Sequence, residues 1–119
     1  MSRKDKIRLT EYLSHIVEAV TYIEDYVENL NEEEFLNDKK TQDAVIRNLE
    51  IIGEASNNIS KYHAEFAAKY PQVPWIFAYE MRNVLAHGYF KVDLEIVWNT
   101  IQNQLPQMRR QIEQLIKQT

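Results

Sequence analysis

The stretch Asp5-Lys6-Ile7-Arg8-Leu9-Thr10-Glu11-Tyr12-Leu13-Ser14-His15-Ile16-Val17-Glu18-Ala19-Val20-Thr21-Tyr22-Ile23-Glu24-Asp25-Tyr26-Val27 decides the fold class. Leu9, Leu13, Ile16, Val20, Ile23, Val27 and Leu30 recur at alternating four- and three-residue steps, which lines apolar side chains along one side of an α-helix. Tyr12, Ala19 and Tyr26 widen that stripe. The pattern predicts a long helix from about Asp5 to Asn29, capped by Ser2 or Asp5 and stopping within Asn29–Asn31. A helix with one apolar seam has to bury it against other helices.

The rest of the chain supplies them. The acidic run Glu32-Glu33-Glu34 reads as a solvated connection. A second helix is expected from Asn37 or Asp38 to about Tyr62, burying Val45, Leu49, Ile52, Ser56 or Ala55, and Ile59. Gly53 falls inside it, where glycine costs about 1 kcal/mol relative to alanine. Close helix packing and a backbone opened to a ligand both explain such a residue. Ala64 to Lys69 forms a short helical turn ended by Tyr70-Pro71. Pro74 suits the first position of a further helix, because its missing N–H would be unpaired there in any case. That helix runs from Trp75 to His87, with Gly88 as its stop. Asp93 caps the last helix, whose Ile96, Val97, Ile101, Leu105, Met108, Ile112 and Leu115 point inward. Pro106 inside it predicts a kink. No alternating strand pattern of useful length occurs. The expectation is an all-α, up-and-down bundle of four main helices and one short one, forming a single domain over residues 1–119.

Composition narrows the function. The chain has 119 residues, 45% hydrophobic and 27% charged, the balance of an ordinary globular domain. It contains no cysteine, which removes disulfides, thiolate metal sites and cysteine nucleophiles together. The charged start, Met1-Ser2-Arg3-Lys4-Asp5-Lys6, is not that of a signal peptide, and no apolar run is long enough to span a bilayer. A cytoplasmic protein with no membrane association is expected. A formal net charge of −4 argues against broad, non-specific nucleic-acid coating, though not against a small cationic pocket.

Chemically capable groups crowd into Arg82-Asn83-Val84-Leu85-Ala86-His87-Gly88-Tyr89. Asn83 and His87 are four residues apart and share a helical face, so the amide can orient one imidazole nitrogen and leave the other free. Arg82 lies roughly 140° from His87 on an ideal helix. The two converge only if the helix unwinds near Gly88 or a second subunit completes the site. Imidazole titrates near neutrality and can act as a general base. A guanidinium offers a planar, permanently charged fork for phosphate. Together they can cleave RNA without a metal: His87 takes the ribose 2′-hydroxyl proton, Arg82 offsets charge on the phosphate, and a 2′,3′-cyclic phosphate results. Capping of carbonyls or of buried partners is the competing explanation for both residues. His15 and His63 have no companion pattern and read as structural or surface residues. No metal-ligand spacing and no glycine-rich phosphate loop is present, so no metal and no cofactor is called for.

The same residues resemble a known family. Arg82, His87 and Tyr89 match the R-x4-H-x-Y form of the HEPN superfamily signature, and the stretch is similar to that of the HepT-type toxins. Ile51-Ile52-Gly53-Glu54-Ala55, Pro74-Trp75 and Asp93-Leu94-Glu95-Ile96-Val97-Trp98 extend the likeness, which covers about Ile7 to Ile116. The resemblance implies a homodimer of helical bundles whose two R-x4-H segments face each other. It implies a metal-independent endoribonuclease toxin of a toxin–antitoxin pair, acting on RNA and neutralised by a cognate minimal nucleotidyltransferase antitoxin. Such an antitoxin can adenylylate the motif tyrosine. Residue by residue, Arg82 and His87 correspond to the catalytic pair, Asn83 to the supporting polar residue, and Tyr89 to the modified tyrosine. Adenylylation there would set a phosphodiester near Arg82 and His87 and block substrate. A non-catalytic HEPN module that binds a nucleotide or a partner is the alternative, and a purely structural bundle is a third.

Overall fold

The structure, a computed structural model, describes residues 2–75, 81 and 92–119. Among them are six helices and no strand: α1 (Arg3–Val27), α2 (Glu32–Leu36), α3 (Lys39–Tyr62), α4 (Ala64–Lys69), α5 (Leu94–Asn103) and α6 (Leu105–Gln118). None of the described helices is long and apolar enough to cross a membrane.

The seam of α1 is the centre of the core. Leu9, Leu13, Ile16, Val20, Ile23 and Val27 are all buried, and Ala19 joins them. They pack mainly on α3, which contributes Val45, Leu49, Ile52, Ala55 and Ile59, and on α6, which contributes Met108, Ile112 and Leu115. Truncating such a side chain to alanine costs about 2–5 kcal/mol. Tyr26 departs from expectation: it is exposed and stacks on Tyr22, with ring centroids 6.3 Å apart.

Polar residues set the helix starts. Ser2 Oγ accepts the Asp5 N–H at 3.1 Å. Asp38 accepts both the Thr41 N–H at 3.1 Å and the Thr41 hydroxyl at 2.7 Å. Those two bonds, the hydroxyl first, hold the Asp38 carboxyl below the usual carboxylate range.

The acidic run is a helix rather than a connection. Asn31 Oδ1 accepts the Glu34 N–H at 2.8 Å, and Glu34 returns a carboxylate oxygen to the Asn31 N–H at 3.0 Å. This reciprocal cap satisfies two otherwise unpaired N–H groups, and the glutamates sit at the favourable end of the helix dipole. Phe35 anchors the turn by burying its ring against Trp98 of α5, 5.3 Å between centroids.

The last helical segment also differs. Pro106 occupies the first turn of α6, so the expected kink is a break at Gln104 between two helices. Ile96 is exposed, not inward-facing, because the buried face of α5 is made by Val97, Thr100 and Ile101.

Candidate functional site

Arg82, Asn83, His87 and Tyr89 lie outside the described residues, so their contacts and distances are not part of the structure set out above. The described residues that lead into and out of their segment show how it is tied to the bundle. On the N-terminal side, Val73 and Trp75 are buried. Trp75 Nε1 donates to the Tyr70 carbonyl at 3.2 Å, and the ring lies against Phe66, which also packs on Tyr70. The same loop is tied to α6, where the Gln111 side chain donates to the Gln72 carbonyl at 3.2 Å.

Met81, immediately before Arg82, packs against the core. With Leu49, Ile52, Pro74, Leu105 and Met108 it lines a cavity of only about 20 Å³ between α3 and the start of α6. On the C-terminal side Val92 rests on the core, and Asp93 caps α5 by accepting the Glu95 and Ile96 N–H groups at 3.0 and 3.2 Å. The segment of interest is therefore bracketed by two fixed points of the bundle.

Gly53 and Ser56 of α3 are both buried, and for Gly53 that fits close packing better than a backbone opened to a ligand. Ser56 Oγ is fully enclosed and has no hydrogen-bond partner among the described residues. The sequence pattern puts Ser56 or Ala55 in the core, where both are buried, and carries no sign that the Ser56 hydroxyl lacks a partner among the described residues.

Other ionisable groups have structural roles. Arg109 of α6 bridges two elements, with Nε 2.8 Å from Glu24 of α1 and a terminal nitrogen 2.7 Å from Glu113. The hydrogen bond it donates to Glu24, then that to Glu113, holds the guanidinium above its ordinary pKa against the cost of burial. His15 is exposed. His63 is not a surface residue: it is buried at the α3–α4 joint, edge-on to Tyr12 with centroids 6.1 Å apart.

Comparison with known proteins places this architecture. A family described as HepT-like, "Ribonuclease HepT-like", matches residues 16–115. The chain belongs to the HepT-like family. A Thermococcus cleftensis protein named "Probable ribonuclease HepT" is 44% identical over 107 residues, covering 90% of this chain and 94% of that protein. A Methanocaldococcus jannaschii protein described as a putative RNase is 42% identical over 117 residues, 98% of this chain and 92% of its own length. A third relative, from Caldanaerobacter subterraneus and also described as a putative RNase, is 36% identical over 106 residues, 89% of this chain and 92% of that protein. No solved structure matches the chain. The all-helical architecture accords with the HEPN superfamily to which the HepT-like family belongs.

Proposed function

We propose that this HepT-like protein is an endoribonuclease toxin that cleaves RNA through Arg82 and His87 without a metal. The observation that carries the reading is the family match over residues 16–115, a range that contains the whole Arg82–Tyr89 segment. The names of three relatives as ribonucleases point the same way.

In this reading His87 removes the 2′-hydroxyl proton and Arg82 binds the scissile phosphate. Asn83 orients the imidazole, and the product ends in a 2′,3′-cyclic phosphate. Met81 supports the arrangement. Its side chain packs on the core, and if helical spacing continued from it, Asn83 and His87 would fall at roughly 200° and 240° from it, away from the face that Met81 buries. Arg82 would fall at roughly 100°, on the flank. A second copy facing the first would bring the partner subunit's arginine to each histidine, so the working unit in this reading is a homodimer. A cognate nucleotidyltransferase antitoxin would silence it by adenylylating Tyr89 or by covering the cleft.

The test uses the purified full chain and a fluorescent RNA in excess EDTA. Cleavage leaving a cyclic phosphate, lost in both His87→Ala and Arg82→Ala while helical content is kept, is the expected result. Full cleavage by both variants would exclude the assigned chemistry. Intact RNA with the parent chain, together with binding of ATP or of the antitoxin, would favour the non-catalytic module, a reading the net charge of −4 makes worth testing.

A further inference from the structure

One corner of the molecule has the composition of a single-strand binding site and lies outside the Arg82–Tyr89 segment. Asp5, Arg8 and Tyr12 of α1 face Tyr62 and His63 at the α3–α4 joint across a cleft of about 380 Å³. A second hollow of about 300 Å³ shares Asp5, Tyr62 and His63 and extends past Lys61 and Glu65. Together they make one groove astride Tyr62 and His63.

The groove has an unusual floor. His63 is only 8% exposed, yet its ring has no hydrogen-bond partner among the described residues. The ring lines both hollows. A buried imidazole that lines a cleft and has no partner among the described residues is a polar group ready for a ligand. The rim is aromatic. Tyr62 is 62% exposed, the most exposed of the large hydrophobic side chains among the described residues, with the Lys61 ammonium 5.3 Å from its ring centre.

Among the residues lining the two hollows, Arg8 and Lys61 are balanced by Asp5 and Glu65; the cationic surplus comes from Arg3, Lys4 and Lys6 in the first turns of α1, set against Glu11. An exposed ring beside cations that can follow a phosphate backbone is how proteins hold single-stranded nucleic acid without reading its sequence.

We infer that this groove is an RNA-docking site, in which a base stacks on Tyr62, a phosphate meets Arg8, and the His63 ring hydrogen-bonds to the nucleotide between them. RNA as the occupant rests on the ribonuclease reading above. Asp5 fits the same role by accepting from a ribose hydroxyl or an exocyclic amine.

The experiment uses the full-length chain and a fluorescein-labelled 12-mer of 2′-O-methyluridine, which offers bases and phosphates but no nucleophilic hydroxyl. Anisotropy at several salt concentrations gives affinity and salt slope. Tyr62→Ala and Arg8→Ala are each expected to weaken binding at least roughly fivefold, from lost stacking or a lost phosphate contact. Arg8→Ala should also reduce the slope of log affinity against log salt by about 0.7. Both side chains are exposed, so neither variant threatens the core.

Lys40→Ala, an exposed cation at the start of α3 and the opposite end of the bundle, should leave affinity unchanged. Equal losses from all three variants, or none from Tyr62→Ala and Arg8→Ala, would overturn the site. So would a parent chain that does not bind the 12-mer at 50 mM salt. Cleavage of the unmodified 12-mer is scored separately. If cleavage persists, only the groove falls; if it is absent as well, the ribonuclease reading falls with it.

Discussion

Replacing Ser56 by alanine should stabilise this protein, although the residue is in the centre of the bundle. Its hydroxyl is completely buried and finds no partner among the described residues. An unpaired buried hydroxyl costs about 1–3 kcal/mol, because the hydrogen bonds it makes to water in the unfolded chain are not replaced. Removing one oxygen gives up a few dispersion contacts of about 0.1–0.2 kcal/mol each. Alanine is also the better helix former, by about half a kcal/mol. The balance is a gain of about 1 kcal/mol.

For a chain of this length that corresponds to a rise in Tm of roughly 3–5 °C. In urea, with a slope of about 1–2 kcal/mol per molar, the midpoint should rise by about 0.5–1 M with the slope unchanged. Ser60→Ala, one turn along the same helix and only half-buried, measures the helix-propensity share, and Ser56→Ala should exceed it. A urea midpoint lowered by half a molar or more would refute the reasoning. It would show that the hydroxyl is hydrogen-bonded in the folded protein.

Three further changes probe the frame. Asn31→Ala removes the acceptor of the reciprocal cap and should cost about 0.5–2 kcal/mol in urea melts, with Trp98 fluorescence reporting the loosened Phe35 contact. Arg109→Gln breaks the link from α6 to Glu24 and Glu113; because the three side chains are partly exposed, the expected loss is about 1 kcal/mol and shrinks as salt is added. Asp38 has a folded-state pKa below its unfolded value, so its contribution to stability is complete above the unfolded pKa and disappears as pH falls through the folded one. Acid melts of Asp38→Asn should therefore show a flatter fall in Tm below about pH 4 than the parent chain.

The elements that the sequence foretold are those in which burial and local preference agree. The α1 seam is one, since six aliphatic residues at heptad spacing leave a single face to bury. The starts of α1, α3 and α5 are others, because Ser2, Asp38 and Asp93 each accept backbone N–H bonds that otherwise have no partner. The errors arose where a local signal was outweighed. The glutamates at 32–34 look like a solvated loop by charge, but Asn31 and Glu34 are spaced as a capping box, and Phe35 supplies the tertiary anchor.

Ile96 and Tyr26 are apolar enough for the core and lie at its edge. An amphipathic pattern identifies the centre of a buried face better than its margins, and both fell on the wrong side. Pro106 was recognised as disruptive, but whether a proline bends a helix or divides it depends on what packs around it. For Arg82, Asn83 and His87 residue type and spacing suggest a chemistry, and for Tyr89 the family resemblance does; all four lie outside the described residues. Their geometry depends on contacts that spacing does not specify. The sequence leaves His63 open between a structural and a surface role, and its burial against Tyr12 at the α3–α4 joint decides for the structural one.

The strongest objection to an RNA substrate is the net charge of −4, and the placement of the charges weakens it. A sum over the chain matters to a polyanion only if the charges act over a distance comparable with the molecule. At physiological ionic strength they do not, because screening sets in over about 8 Å. Helix α1 has 25 residues and so extends about 37 Å, several screening lengths. At its beginning Arg3, Lys4, Lys6 and Arg8 outnumber Asp5 and Glu11, while Asp25, Glu28, Glu32, Glu33, Glu34 and Asp38 at its end and just beyond outnumber Lys39 and Lys40. A phosphate approaching Tyr62 and His63 therefore meets the basic end, with the acidic end largely screened from it. The same segregation predicts a preferred approach: RNA is drawn to the α1 start and repelled from the α2 end. A net negative charge is thus no bar to a polyanion that meets the protein at one corner only.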